Sequence, residues 1–168
     1  MTDARNADPD ASLSRERRLA LVVFAVDRTR YSVALSAARR ALPMVAVRAV
    51  PGAPAVVLGA INLGGRAVPV VDLRKRLGLV SREWGVGAQL LLVQTPRRLL
   101  AIPTDDILGV IEVEAGALTA TDAVLPGMHR LSAIAAVGDG LLFIYDVEAF
   151  LTPGEERALG QALGEEGQ

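Results

Sequence analysis

From Leu19 onward the chain is a succession of short apolar runs broken by turn-forming residues. Leu21 to Val26 and Tyr31 to Leu35 flank Asp27-Arg28-Thr29-Arg30, and Val56 to Leu63 and Ala67 to Leu73 meet through Gly64-Gly65. Leu90 to Gln94 and Leu99 to Ile102 flank Pro96-Arg97-Arg98, and Leu131 to Val137 and Leu141 to Tyr145 flank Gly138-Asp139-Gly140. Paired strand-length runs around such residues predict β-hairpins, with the Gly-Gly dipeptide tolerating the positive φ of a tight turn. Helical periodicity is confined to the end of the chain. There Thr152, Pro153 and Glu155 form a capping-box pattern, and Ala158, Leu159, Ala162 and Leu163 make a narrow apolar stripe that predicts a docked helix.

The pattern repeats. PVVDLRKRL (Pro69 to Leu77) parallels FIYDVEAFL (Phe143 to Leu151), and Leu21 to Leu42 parallels Leu90 to Ile111 at a shift of about 70 residues. Two β-rich lobes of similar plan are expected, and lobes this small are predicted to close as barrels, which removes exposed strand edges. Met1 to Arg18 is polar, contains Pro9 and has no periodicity, so a flexible tail is expected there. The expected organisation is a tail over 1–18, a two-lobed β domain over 19–152 with strand exchange allowed between lobes, and a helix and tail over 153–168.

Composition then removes function classes. With 168 residues the chain suffices for one domain or two small lobes sharing an interface. Eighteen Lys and Arg against 19 Asp and Glu leave a formal charge of -1, without the basic surplus of a nucleic-acid binder. No Cys is present, which excludes disulfides, thiolate nucleophiles and cysteine metal sites, and there is one His, His129. Aromatic residues are 4%, so Val, Leu, Ile and Ala must fill the core, favouring strands. The uncharged stretch Ala49 to Gly65 is interrupted by Pro and Gly and does not read as a membrane span. The charged start lacks the apolar run of an export leader, so a cytoplasmic protein without direct membrane insertion is expected.

Candidate chemistry is thin. Asp105 and Asp106 are adjacent, point to opposite faces of a strand, and read as capping or turn residues. Asp72 and Asp146 occupy equivalent strand ends in the repeat. They either cap the following helical turns or meet as a carboxylate pair in a small hydrolase, and the residues after each, Leu73-Arg74 and Val147-Glu148, favour capping. His129 has no co-ligand in sequence and reads as a loop residue. Asn62 to Arg66 (NLGGR) lacks the spacing of a phosphate loop and reads as a hairpin turn. The apolar stretch Ala49 to Ile61 is either a partner surface or buried across a lobe. By elimination, no catalytic residue and no metal site are expected.

The run PGAPAVVLGAINLGGRAVPVVDLRKRLGL (Pro51 to Leu79) resembles the signature of the CheW-like coupling domains of bacterial chemosensory systems, with Pro54, Gly59, Asn62, Leu63, Gly65, Pro69, Asp72, Leu73 and Arg74 in matching places. The similarity extends from about Leu21 through the C-terminal helix. It implies a mainly β fold of two five-stranded β-barrel lobes around a continuous hydrophobic core. It also implies an adaptor without cofactor, metal or catalysis, which links the cytoplasmic tip of a methyl-accepting chemoreceptor to the regulatory domain of a CheA-type histidine kinase. A CheW-like regulator working without a receptor is the alternative. Carried over position by position, Arg40, Val45, Val47 and Gly64 face the kinase, and Ala38, Gly59, Asn62 and Ile107 line the receptor side. Gly65, Pro69, Asp72, Leu73 and Arg74 belong to the structural motif. Two departures stand out, since the family usually has Arg at the position of Gly64 and Glu at that of Arg40. Loss of one charge and reversal of the other look coupled, because Arg40 beside a second Arg would be repelled.

Overall fold

The computed structural model describes residues 17–120 and 131–165, so His129 and nearly all of the predicted tail lie outside the described residues. Thirteen elements follow in order: β1 (Arg18–Val26), β2 (Thr29–Ala34), β3 (Ala38–Pro43), β4 (Val57–Leu63), β5 (Arg66–Val71), α1 (Leu73–Arg76), β6 (Gln89–Gln94), β7 (Leu99–Thr104), β8 (Asp106–Glu114), β9 (Leu118–Ala120), β10 (Leu131–Val137), β11 (Gly140–Tyr145) and α2 (Pro153–Ala162). The four predicted hairpins are β1/β2, β4/β5, β6/β7 and β10/β11, all antiparallel. Hairpin patterning does not reveal β3, β8 and β9; the partners of β3 and β8 lie far away in sequence, and β9 is a three-residue strand paired with β10.

The strands form a six-stranded sheet, β8-β1-β2-β11-β10-β9, and a five-stranded sheet, β3-β6-β7-β5-β4. The mainly β, two-lobed plan with a C-terminal helix is as expected, but the strand order is open in both sheets, and the first has a sixth strand. In each sheet one hairpin joins another through a parallel pair, β2 with β11 and β5 with β7. The repeat noted in sequence is thus a three-stranded unit, β1-β2-β3 and β6-β7-β8, whose third strand leaves its own lobe. β3 crosses to pair with β6, and β8 crosses back to pair with β1.

This exchange explains why the runs are apolar throughout instead of alternating. Along β1, Leu21 and Val23 enter a cluster inside the first lobe with Ala133, Leu142 and Ile144, while Val22, Phe24 and Val26 enter a central cluster. Along β6, Leu90 and Leu92 pack inside the second lobe with Ile61, Val68 and Val70, while Leu91 and Val93 reach the same central cluster. A strand buried on both faces needs apolar residues at every position. The chain's three Phe, two Tyr and one Trp all sit in or against the central cluster. Phe24 stacks on Tyr31, and Tyr145 on Phe150, at ring separations of 6.2 and 4.6 Å.

Helix α2 closes this core from one side through Leu159, which is fully buried there, and the predicted capping box is formed. Thr152 Oγ1 accepts from Glu155 N at 3.1 Å, and Glu155 Oε1 accepts from Thr152 N at 2.8 Å. Arg76 pairs with Glu155, and Arg98 with Glu156 and Glu165, so the helix is tied to the second lobe by charge as well as packing. Burial of Glu155 opposes its ionisation, but hydrogen bonds from Arg76 and Thr152 outweigh it and hold the carboxyl below its ordinary 4.5.

The open edge of the second sheet has one special contact. Arg48, after β3, bridges to Ala60 of β4 through paired backbone hydrogen bonds of 3.0 and 2.8 Å. A Cβ on Gly59 would stand 2.1 Å from the Arg48 carbonyl oxygen, so only glycine permits this approach. Gly59 therefore lies at a buried bulge in β4 and not in a turn.

Two outcomes follow. Gly59→Ala should lose about 2–3 kcal/mol in urea denaturation, by overpacking against backbone, whereas Gly64→Ala, with open space around its Cβ, should lose only about 1 kcal/mol for its positive φ. Because the folded-state pKa of Glu155 is depressed, its stabilisation is complete above the ordinary carboxylate range and fades as pH falls through the folded value. Glu155→Gln, which can keep the capping box, should therefore flatten the decline in Tm between about pH 6 and about pH 3.

Candidate functional site

The Asp72-Leu73-Arg74 tripeptide follows β5 and organises the junction between lobes. Asp72 Oδ1 accepts from Arg74 N at 3.0 Å, the cap predicted from sequence, and Leu73 is buried in the central cluster. Arg74 is only 1% exposed. Its Nε donates to Asp27 Oδ1 at 2.9 Å, its Nη2 to Asp105 Oδ1 at 2.8 Å and its Nη1 to the Arg82 carbonyl at 3.2 Å. The Trp84 ring centroid lies 3.5 Å from the guanidinium carbon. Asp27 sits in the β1/β2 turn with φ 51°, and Asp105 stands where β7 passes into β8. Asp105 also accepts from Asp27 N through Oδ2 at 2.8 Å. One guanidinium therefore joins the second lobe to the hairpin tip of the first and to a crossover between them.

Partial burial works against the Asp27 charge, but Arg82 and Arg74 together hold its carboxyl below the ordinary 3.8. Asp105 does act on a backbone N–H, as predicted, but on one 78 residues away, and its pairing with Arg74 has no local signal in sequence. Asp146 Oδ1 accepts from Glu148 N at 3.0 Å, so both repeat-related aspartates cap their own following turns, at the ends of strands in different sheets. They do not form a shared acid–base centre. Among the described residues no group of three His, Asp or Glu side chains converges as a metal site.

What the fold offers instead is surface. The Arg48–Ala60 bridge is antiparallel, so the segment after β3 passes along β4 in the direction away from the Gly64-Gly65 turn, with the residues just before Arg48 nearest that turn. Val47 is thereby half-buried beside Gly59, with Val45 46% exposed shortly before it and Gly64 exposed in the turn after β4, whereas Arg40 is exposed on β3, at the other edge of the sheet's strand order from β4. The receptor-side set is more scattered. Gly59 is buried, Asn62 is exposed and accepts from Gly65 N at 2.7 Å, and Ala38 and Ile107 are half-buried against the central cluster. Ala38 pairs with Val93, at one end of β6, whereas Ile107 N donates to Gln89 at the other end. Pro69 is buried opposite Ala60 in β5.

The Ala49 to Ile61 stretch divides between the two readings. Ala49, Pro51 and Ala55 are exposed, and Val56, Val57 and Ile61 are core. Sequence reading missed an open cleft of about 310 Å³ on the first lobe, lined by Leu108, Ile111, Val137 and Leu141 with Arg30 beside them. Of its two exposed leucines, Leu141 comes from β11 and Leu108 from β8, a strand whose placement depends on the lobe exchange.

Two β lobes are thus locked over one shared core, with exposed residues on their outer faces. Residues 20–154 match the CheW-like domain, and the chain belongs to that family. It is 27% identical over 139 residues to a chemotaxis protein CheW of Rhizobium meliloti (strain 1021), covering 82% of this chain and 89% of that one. It is 24% identical over 140 residues to a probable chemotaxis protein CheW of Rhizobium etli, covering 82% and 90%. In structure it is similar to the scaffolding protein TtCheW of Thermoanaerobacter tengcongensis, with a TM-score of 0.76, 21% identity and coverage of 83% and 96%. The chain is accordingly a CheW-family protein and not an enzyme.

Removing Arg74 should be costly because Asp105 loses its counter-charge and Asp27 is left with Arg82 alone. Arg74→Met should lower unfolding free energy by about 3 kcal/mol, read from urea denaturation. Adding Asp27→Asn and Asp105→Asn should restore part of it; a triple variant weaker than the single would contradict this account.

Proposed function

We propose that this chain couples methyl-accepting chemoreceptors to a CheA-type histidine kinase, binding the kinase regulatory domain and the receptor tip so that receptor state governs phosphorylation. The observation that carries the reading is the family match over residues 20–154, which spans both lobes and reaches the start of α2. The locked junction supports it, since a coupling protein transmits a signal only if its two faces keep a fixed relation. Contacts of this kind are modest in area and of about micromolar strength singly, with assembly into an array adding avidity. The protein acts in the cytoplasm, recruited to receptor arrays. No helix among the described residues is long and apolar enough to cross a membrane.

The kinase side is built from Arg40, Val45, Val47 and Gly64, and the receptor side from Ala38, Gly59, Asn62 and Ile107. Arg40 and Gly64 retune partner choice relative to the usual Glu and Arg. Gly64 has φ 61° and open space around its Cβ, so an arginine fits there at a backbone cost of about 1 kcal/mol. These same two departures favour a second reading, a CheW-like regulator that holds a kinase without a receptor.

Kinase autophosphorylation in a reconstituted mixture separates the two. Coupling requires that this protein make the rate depend on receptor, while a receptor-independent change supports the regulator. For retuning, Arg40→Glu with Gly64→Arg should shift pull-down from the cognate kinase domain toward a foreign one; unchanged preference would exclude it.

A further inference from the structure

Charge is segregated in this chain in a way its total of -1 conceals. No Asp or Glu occurs from Arg28 to Val71, nor from Trp84 to Thr104, so all five strands of the second sheet are free of acidic residues. The first sheet carries Asp106, Glu112 and Glu114 on β8 alone. Where the second lobe meets α2, Arg76 and Arg98 are answered by Glu155, Glu156 and Glu165. Elsewhere on the second lobe Arg39 and Arg40 on β3, Arg48 after it and Arg66 at the start of β5 are all exposed, and none has an acidic salt-bridge partner among the described residues. Arg39 donates to the Ser36 carbonyl at 2.7 Å, which fixes its side chain without neutralising it.

We infer that Arg40, Arg48 and Arg66 together make an electrostatic docking surface for an acidic protein face, whose carboxylates stand opposite them. The inference deepens the kinase-binding reading and rests on it for the partner's identity, but the chemistry it names is independent. Exposed Val45 and Pro43 lie between the arginines, giving the apolar centre and Arg rim of a protein interface. A single-stranded nucleic acid would need aromatic platforms, and all six aromatic rings are in or against the central core. Like charges gathered on one lobe repel one another, and an opposing acidic face relieves that repulsion, speeds encounter and fixes register.

The test is association kinetics of the purified chain with the regulatory domain of its cognate kinase, from about 50 to about 500 mM salt. A 20-residue polyglutamate peptide and a DNA duplex serve as further probes. Wild type should associate with the kinase domain about tenfold or more faster at the low-salt end, and Arg40→Gln/Arg48→Gln/Arg66→Gln should remove most of that dependence. Glu112→Gln on the first lobe should leave it unchanged. Salt-independent binding, or a triple variant that binds like wild type, overturns the inference while leaving the kinase reading intact. No kinase-domain binding, with polyglutamate bound and released by the triple variant, keeps the acidic-partner chemistry and removes the kinase. DNA bound more tightly than polyglutamate, or neither probe nor kinase bound, overturns it. Aggregation of the triple variant with undiminished partner binding would assign the arginines to protection of the β3 edge instead.

Discussion

The structure depends on strands buried on both faces. β1, β6 and β7 each give one set of side chains to their own lobe and the other to a core that the lobes share. Neither sheet can leave the other without exposing Phe24, Val33, Leu91, Val93 and Ile102 to water, each a burial of about 1.5–3 kcal/mol. The reciprocal crossing of β3 and β8 adds backbone pairing to that constraint. Two lobes of related plan thereby become one folding unit, and Arg74 sets their relation by spanning Asp27, Asp105 and Trp84 at the junction.

A scaffold needs such an interior because its outward faces do no covalent work. The two aspartates that resemble a reaction pair are each occupied by a backbone N–H of the turn that follows. The invariable demands on the chain are therefore geometric: Gly59 where the Arg48 backbone passes, Asn62 bracing the Gly64-Gly65 turn, and Arg74 at the junction. The surfaces are released from those demands and can differ in charge, which is where Arg40 and Gly64 depart from the family pattern and where the second lobe collects unanswered arginines.

Hairpins, the capping box of α2 and the aspartate caps were legible in sequence, since each is a local pattern: apolar runs about a turn, or a side chain bonding a backbone N–H two or three residues on. The motif around Asn62 and Asp72 identified the family for the same reason. The strands missed, β3, β8 and β9, show the limit. β3 (ARRALP) has exposed arginines at two of its positions and looks like a loop until Leu90, Leu91 and Leu92 are seen beside it. Of the residues carried over by resemblance, Val47 is set beside Gly59 by the Arg48–Ala60 bridge, whereas Ala38 and Ile107 lie at opposite ends of β6.

By itself, then, the amino-acid sequence determined the local elements, the internal repeat, the family and the absence of cysteine or paired-histidine chemistry, because those follow from neighbours along the chain. Tertiary structure alone decided which strand of each repeat unit changes lobes, that Asp27 and Asp105 share Arg74, and which arginines lack an acidic partner among the described residues. Those outcomes depend on contacts between residues tens of positions apart, and such contacts form only when burial of both strand faces brings the lobes together.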